Sequence, residues 1–179
     1  MTAQITTEEH QRYTRMITLP DMGEDAVLKL KQSKVLVIGA GGLGSAVIPA
    51  LSAMGIGHLG INEFDEVEYS NLQRQLLYSP EDQGKSKSEL AKKKAERLNP
   101  KITITSHEAK CNESNCQELI AAYDLVIDCT DNFQTRYLIN DTCAHLSKPL
   151  IYGSVCDYKG LVTLLHSDQN MDLRDIFPD

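Results

Sequence analysis

No two cysteines of the sequence are spaced as a C-x-x-C pair. The chain of 179 residues has five cysteines. Their odd number excludes a fully paired disulfide framework, and the missing pair gives no zinc-knuckle spacing. They are Cys111, Cys116, Cys129, Cys143 and Cys156. We interpret them as ordinary structural thiols of a cytoplasmic protein, since thiols stay reduced in that compartment.

The first residues lack an apolar core, and the chain lacks a surplus of basic residues. Residues 1–19 carry several charged side chains, so we do not expect them to act as a secretory signal. The 25 acidic residues outnumber the 18 lysines and arginines, which gives a formal net charge of −7. That balance argues against a broad nucleic-acid-binding surface and leaves room for a local basic pocket.

Formal charge is also absent from residues 35–62, a stretch long enough to cross a bilayer. The same stretch contains seven glycines and Pro49. These residues fall where turns between a strand, a helix and a second strand require them. A buried βαβ unit has uncharged strands and an apolar helix face, so it accounts for the missing charge. We therefore expect no membrane span.

Hydrophobic patterning predicts strands and helices that alternate along the chain. The predicted strands cover residues 34–39, 58–64, 102–106, 124–129, 149–153 and 161–166. The predicted helices cover residues 7–13, 26–31, 43–54, 85–98, 114–122 and 133–146, with Thr7 as the first cap. This order predicts an α/β fold with a Rossmann-like, open, mostly parallel sheet and helices on both faces. We expect one domain over residues 1–179, with residues 1–33 as an N-terminal helical arm.

Four glycines fall within six residues, in the segment Gly39-Ala40-Gly41-Gly42-Leu43-Gly44. The segment satisfies the pattern G-x-G-x-x-G between a predicted strand and a predicted helix, which is the context of a nucleotide-binding loop. The early glycines, Gly39, Gly41 and Gly42, permit the turn and let backbone N–H groups approach phosphate. Gly44 allows the helix to pack close to the strand. The segment therefore predicts nucleotide binding.

Polar residues behind the second predicted strand bear on which nucleotide is bound. Glu63 and Asp65 stand about 20 residues after the loop, where an acid binds ribose hydroxyls. Ser70-Asn71-Leu72-Gln73-Arg74-Gln75 follows, and then Lys85 and Lys87. Arginine grips phosphate through a planar fork and lysine adds a point charge. The cluster therefore favours a triphosphate over the NAD of a dehydrogenase, and a solvated helix start is the plain alternative for the two lysines.

Another polar segment, residues 128–132, follows a later predicted strand. In an open parallel sheet, ligands bind outside the carboxyl ends of the strands. Asp131 is therefore placed to hold Mg²⁺ beside the phosphates. Asp128 falls earlier in the strand and is expected to be structural, while Asn132 also suits the cap of the next helix.

Together these residues resemble one family, the ThiF/MoeB/HesA adenylyltransferases, which are related to the catalytic domain of ubiquitin-activating enzymes. The glycine loop alone is weakly specific, whereas its combination with the other segments is strongly so. The matching segments are Arg12–Arg15, Gly39–Gly44, Ser70–Gln75, Lys87, Asn99-Pro100, Asp128–Asn132 and Gly160–Thr163.

The resemblance implies that ATP activates a carboxylate. Members of the family bind a small β-grasp, ubiquitin-like sulfur carrier protein that ends in Gly-Gly and serves thiamine or molybdopterin synthesis. The terminal carboxylate attacks the α-phosphate, which yields an acyl adenylate and pyrophosphate. The resemblance also implies a homodimer, in which Arg15 reaches the nucleotide of the partner subunit.

The resemblance assigns roles to the other motif residues as well. Gly42 and neighbouring amides would face phosphate, and Glu63 would take the ribose hydroxyls. Asp131 would hold the metal. The phosphates would be held by Asn71, Arg74 and Lys87, and the nucleotide site would be completed by Asp65, Ser70, Gln75 and Asn132.

The sequence departs from the family pattern in two places. Family members commonly have Asp where this chain has Glu63, which keeps a carboxylate but lengthens its reach. Many relatives bind structural zinc through a C-x-x-C pair near residues 172–175, where this chain has Asp172 and Asp175, so no zinc is expected. The sequence also stops at Asp179, so we expect a truncated N-terminal portion. A non-catalytic nucleotide-binding or dimerisation fragment is the alternative to an enzyme.

Overall fold

The computed structural model describes residues 4–167 and 171–178 and contains one six-stranded sheet. The strands are Lys34–Ile38 (β1), His58–Asn62 (β2), Thr103–His107 (β3), Leu125–Asp128 (β4), Leu150–Cys156 (β5) and Lys159–Leu165 (β6). Their order is β3-β2-β1-β4-β5-β6. The first five run parallel and β6 runs antiparallel to β5. The prediction of an open, mostly parallel α/β sheet is confirmed.

Helices occupy both faces of this sheet. They are Thr7–Ile17 (α1), Gly23–Gln32 (α2), Gly44–Met54 (α3), Lys87–Leu98 (α4), Cys116–Ala121 (α5), Phe133–His145 (α6) and Leu173–Ile176 (α7). Short 3₁₀ turns occur at Tyr69–Asn71 and Pro80–Asp82. Within the described part of the chain, no helix combines the length and apolar character that a membrane crossing requires.

The central strand β1 explains why the core has two halves. Its side chains alternate between the faces of the sheet. Val35 and Val37 belong to one buried cluster, with residues of α3 and α4. Leu36 and Ile38 belong to the other, with residues of α5 and α6. A strand buried on both faces reads as a continuous apolar run, which is how the sequence shows it.

The strand order reverses direction at β1. The chain leaves β1 through α3 to reach β2 on one side, while β4 pairs with β1 on the other side. The carboxyl ends of β1 and β4 therefore flank a crevice, the place where open α/β sheets bind ligands. Both polar segments singled out in the sequence, residues 39–44 and 128–132, lie at this crevice.

Helices α1 and α2 pack at the end of the sheet where the strands begin, opposite the crevice. Tyr13 of α1 is buried, and its hydroxyl accepts a hydrogen bond of 2.9 Å from Asn99 Nδ2. A Cβ added to Gly55 would lie 2.3 Å from the same hydroxyl. Gly55 ends α3 and Asn99 ends α4, so α1 sits where the strands begin. The first three residues of the predicted arm lie outside the described part.

Local hydrogen bonds place several boundaries differently from the prediction. Thr6, not Thr7, caps α1: its hydroxyl accepts from the Glu9 N–H at 3.2 Å, and the Glu9 carboxylate accepts from the Thr6 N–H at 2.8 Å. This reciprocal capping box explains why the predicted cap was wrong. The short helix α7 was not predicted. Asp172 and Asp175 form its capping box.

Candidate nucleotide-binding site

Two glycines of the loop are required by backbone geometry. Gly39 has φ +96°, a left-handed conformation, and a Cβ there would lie 2.7 Å from the carbonyl oxygen of Cys129. A Cβ on Gly44 would lie 2.1 Å from the carbonyl oxygen of Gly39. Any larger residue at either position would therefore force backbone apart. The predicted role of Gly44 in close packing agrees with this geometry.

The other two glycines leave space at the cleft. A Cβ on Gly41 would lie 3.6 Å from Gln75 Nε2, and one on Gly42 would lie 3.9 Å from the Arg74 side chain. These are ordinary van der Waals distances. The loop is therefore adjacent to the segment that contains Arg74 and Gln75, as the sequence predicts, and it leads into the N-terminus of α3, where backbone N–H groups point outward.

Two buried side chains hold the loop at Ala40. Glu63 Oε2 accepts a hydrogen bond of 2.8 Å from the Ala40 N–H, and the Tyr78 hydroxyl donates one of 2.9 Å to the Ala40 carbonyl. Burial raises the pKa of Tyr78, and the charges of Glu63 and Asp82 raise it further, so its proton stays available for donation. Sequence reasoning missed Tyr78, because it stands in an apolar stretch and matches no motif.

Glu63, predicted to hold ribose, is already engaged by backbone. Besides the Ala40 N–H, its Oε1 accepts from the N–H groups of Phe64 at 2.9 Å and Asp65 at 3.0 Å. Its side chain lines the cleft, and the residue is 7% exposed. A carboxylate has about four acceptor sites, so three N–H donors leave one for a ligand. Its ribose role stays a prediction, and the structure adds a role in shaping the loop.

Cationic residues lie at the floor and rim of the cleft. Lys87, the first residue of α4, is buried, and its Nζ lies 3.6 Å from Asp65 Oδ2. Arg74 is exposed, and its Nη1 donates at 3.4 Å to the Ser70 carbonyl. The buried position of Lys87 excludes a freely solvated helix start for this residue. Lys85 is exposed and lies 3.7 Å from Asp82 instead.

Two adjoining cavities bring most of the predicted residues together. The first is an open cleft whose lining includes Gly39, Gly41, Glu63 and Asn132, and the lining of the second includes Asn71 and Arg74. Four side chains line both: Asp65, Gln75, Lys87 and Asp131. Gln75 is buried, and its Oε1 has no hydrogen-bond partner among residues 4–167 and 171–178.

Some predicted residues lie outside these cavities. Ser70 directs its hydroxyl to Glu68 at 3.2 Å. Arg15 is exposed on α1, at the far end of α3 from the glycine loop. An 11-residue helix is about 16 Å long, so Arg15 is remote from the cleft of its own chain.

The segment after β4 presents Asp131 to the cleft. Asn132 caps α6, since its Oδ1 accepts from the Thr135 N–H at 2.9 Å. Asp128 is fully buried, and burial raises its pKa, opposed by hydrogen bonds from Thr130 and by the charge of Arg136. The carboxylate of Asp131 makes no hydrogen bond or ion pair with any described residue, so it is free to meet a ligand.

A magnesium ion fits this donor set only together with a nucleotide. No group of three or more histidine, cysteine or acidic side chains that would hold a metal occurs within the described ranges. Mg²⁺ in phosphate sites needs one or two carboxylates and takes its other ligands from phosphate and water. Asp131 supplies one such carboxylate.

Comparison with known proteins finds one matching family and relatives that are named adenylyltransferases. Residues 13–179 match the ThiF family. The sulfur carrier protein adenylyltransferase of Thermus thermophilus is 41% identical over 178 residues, which are 97% of this chain and 66% of that protein. The probable adenylyltransferase/sulfurtransferase MoeZ of Mycobacterium tuberculosis is 41% identical over 176 residues, covering 96% of this chain and 45% of that protein. The chain thus spans two thirds or less of these relatives.

A solved structure with similar architecture contains ATP. It is the E. coli tRNA N6-threonylcarbamoyladenosine dehydratase TcdA, in complex with ATP. The superposition has a TM-score of 0.79 at 25% identity and covers 87% of this chain and 65% of that chain.

Proposed function

The chain belongs to the ThiF family, and from that membership we propose that it uses ATP to adenylate the C-terminal carboxylate of a ubiquitin-like sulfur carrier protein. The names of its relatives support this proposal. We further propose that the carrier has a β-grasp fold ending in Gly-Gly and serves thiamine or molybdopterin synthesis. The chain spans only part of those relatives, so the activity and partner of the whole protein are included in the proposal.

In the proposed reaction, a carboxylate oxygen of the last glycine of the carrier attacks the α-phosphorus of ATP. The bond from that phosphorus to the oxygen bridging the β-phosphate breaks, and pyrophosphate leaves. An acyl adenylate remains on the carrier. Since no protein nucleophile is required, the chain has to hold two anionic reactants together and neutralise their charge.

One juxtaposition carries the proposal: Arg74 and Lys87 lie beside the glycine loop, around cavities that Asp131 also lines. The amides of Gly41 and Gly42 and the N-terminus of α3 would meet phosphate oxygens. Arg74 would grip the phosphate chain through its planar fork, and Lys87 would add a charge from the floor. A dinucleotide that transfers hydride has less need of these cations.

The remaining polar residues are assigned to the rest of the nucleotide. We propose that Asn71 helps to hold the phosphates and that Glu63, through its one open acceptor site, takes a ribose hydroxyl. Asp65 and Gln75 complete this wall. Asp65 has a second effect, because its carboxylate offsets the charge of the buried Lys87 until phosphate arrives.

Asp131 would hold Mg²⁺ against the phosphates. When bound, the ion would spread the negative charge of the triphosphate and ease the departure of pyrophosphate. Asn132 would support this arrangement from the N-cap of α6, where it fixes the start of the helix behind Asp131.

We propose a cytoplasmic homodimer in which Arg15 serves the nucleotide of the partner subunit. The guanidinium of Arg15 is exposed and has no hydrogen bond or ion pair within the described part of the chain. It is also remote from its own cleft. An arginine so placed reaches a triphosphate only from another copy. The cytoplasmic location is supported by the odd set of cysteines, all of them free thiols.

Carrier-dependent exchange of labelled pyrophosphate into ATP tests the proposal. We expect exchange when a β-grasp carrier ending in Gly-Gly is added, and none with the same carrier lacking its last glycine, because no correctly placed carboxylate remains. Separate assays with a thiamine-pathway carrier and a molybdopterin-pathway carrier identify the partner. Absence of exchange with both, in a chain extended to the full length of its relatives, would contradict the proposal.

A further inference from the structure

We infer that Asp128 and Arg136 are positioning residues, which hold the backbone of Thr130 between them and thereby place Asp131 against the bound nucleotide. The inference rests on the proposed function, in which Asp131 meets the metal and the phosphates. Neither residue needs to touch the nucleotide itself.

Thr130 is gripped on both of its backbone polar groups. Asp128 Oδ1 accepts from the Thr130 N–H at 2.8 Å and from its hydroxyl at 2.7 Å. On the other side, Arg136 donates to the Thr130 carbonyl through Nη2 at 2.8 Å and through Nε at 3.3 Å. Four hydrogen bonds thus converge on one residue, which leaves its backbone a single orientation.

The position of Asp131 depends on that orientation. Its own carboxylate has no partner among residues 4–167 and 171–178, so side-chain contacts do not hold it. The Thr130 carbonyl and the Asp131 nitrogen belong to one planar peptide unit. By fixing that carbonyl, Arg136 fixes the plane from which Asp131 extends into the cleft.

Both clamping side chains are charged groups in the interior. Arg136 is 8% exposed, and its guanidinium lies 5.3 Å from the ring centres of Phe133 and Tyr152. Asp128 is fully buried, and its Oδ2 has no hydrogen-bond partner in the described part of the chain. Proteins in which apolar residues replace such buried charges are often equally stable or more stable. The presence of these buried charges is therefore better explained by positioning than by stability.

The test compares Arg136→Met with Arg97→Met, a matched change at an exposed arginine of α4. Methionine keeps the length of the stem and removes the donors. The Thr130 N–H is held by Asp128, so its exchange reports whether the residue stays in place. We expect this exchange to become roughly tenfold faster in Arg136→Met, because the loss of charge-assisted hydrogen bonds to the Thr130 carbonyl lets Thr130 move away from Asp128, and to stay unchanged in Arg97→Met. Arg136→Lys, which keeps one donor and the charge, should fall between them.

A second measurement connects the clamp to the metal. ATP affinity is measured with Mg²⁺ and with a chelator, and the ratio gives the gain due to the metal. We expect Arg136→Met to reduce this gain roughly tenfold, as loss of a supporting hydrogen bond does at other metal sites. In an Asp131→Asn background the same change should have almost no further effect, because the two residues act through one group.

Three results would overturn the inference. Unchanged exchange of the Thr130 amide hydrogen in Arg136→Met would show that Arg136 does not hold Thr130 in place. Equal losses of ATP affinity with and without Mg²⁺, together with a lower melting temperature, would make Arg136 a stabilising residue only. Absence of ATP binding by the unaltered chain would contradict the proposed function and this inference with it, whereas the first two results leave the proposed function intact.

Discussion

Gly39 and Gly41 are two residues apart in one motif, yet they are glycines for different reasons. Gly39 combines a left-handed backbone with a contact to the carbonyl of Cys129, so the fold requires it. Gly41 has room for a Cβ in the folded chain. We therefore expect glycine at that position to allow the close approach of a phosphate, and the fold does not require it.

Alanine substitutions separate these reasons. We expect Gly39→Ala to lower the free energy of unfolding by about 2 kcal/mol or more, from backbone strain and the clash together. Gly41→Ala should leave the unfolding free energy nearly unchanged and weaken ATP binding. Chemical denaturation and calorimetry measure the two effects.

Gly23→Ala is the matched control for the strain alone. Gly23 has φ +65°, but no atom lies within 4 Å of the position that its Cβ would occupy. The substitution should therefore lower the unfolding free energy less than Gly39→Ala does. Equal losses at Gly23 and Gly39 would show that the contact with Cys129 is unimportant.

Arg74 is the cleanest test of phosphate recognition, because it is exposed and contributes little to packing. We expect Arg74→Ala to weaken ATP binding roughly tenfold or more, the usual effect of losing a charged hydrogen bond. The affinity for AMP, which lacks the β- and γ-phosphates, should fall much less. Calorimetry with both nucleotides measures the difference, and Arg97→Ala is the control. Equal losses for ATP and AMP would place Arg74 away from the terminal phosphates.

At the scale of elements, β2 and β3 hold two histidines around one tyrosine. His107 Nε2 lies 2.8 Å from the Tyr123 hydroxyl, and His58 Nε2 lies 2.9 Å from Thr105 Oγ1. Both rings approach the Tyr123 ring: the centroid of His58 lies 5.5 Å from it and that of His107 lies 6.1 Å from it. Burial lowers the pKa of each histidine below its ordinary value of 6.5; Lys34 lowers that of His58 further, and His58 that of His107.

These shifts make stability depend on pH. The unfolded chain takes up protons near pH 6.5, whereas the folded chain does so only at lower pH, so stability falls as the pH drops through 6.5. Above that value the histidines are neutral in both states and contribute no slope. We expect a lower unfolding free energy in urea at pH 5.5 than at pH 7.5, and a smaller difference in the double variant His58→Gln/His107→Gln.

A second group titrates too low to confuse this comparison. Burial alone would raise the pKa of Asp82, but hydrogen bonds from Lys94 and Ser79 outweigh it and lower the pKa to about 2 from 3.8. The contribution of Asp82 to the free energy of unfolding is therefore lost only below pH 3.8.

The same pH dependence in the double variant and the unaltered chain would contradict the role of the histidines.

Element types were predictable from the sequence, while several boundaries depended on side chains. The second strand was predicted to reach residue 64 but ends at Asn62, because the Glu63 carboxylate draws the next two N–H groups into a turn. The fourth helix was predicted from residue 85 and begins at Lys87, since Ser86 caps it by accepting from the Glu89 N–H at 3.4 Å. The spacing of residues alone does not reveal which polar side chain accepts a hydrogen bond from a nearby backbone N–H group.

At the scale of the whole molecule, the motif residues could be picked out from the sequence. The side chains that hold the backbone of those motifs could not. The glycine loop, Arg74, Lys87 and Asp131 stand in short patterns with a physical reason for each residue type. Tyr78 and Arg136 act on backbone that folding brings to them, Tyr78 across 38 positions of sequence. A single sequence without its fold gives no sign of such partners.

The net charge of the molecule and the local charge of its cleft have opposite effects on the binding of a triphosphate. A net charge of −7 repels a nucleotide triphosphate at long range. Arg74, Lys87 and the N-terminus of α3 oppose that repulsion where the glycine loop meets the cleft. We therefore expect this local group of cations to hold a triphosphate and not a nicotinamide dinucleotide.

Calorimetric titration of the unaltered chain with ATP and, separately, with NAD distinguishes these two ligands. We expect measurable ATP binding that Arg74→Ala weakens, and little or no binding of NAD. Tight binding of NAD, with ATP binding absent or indifferent to Arg74→Ala, would contradict this expectation.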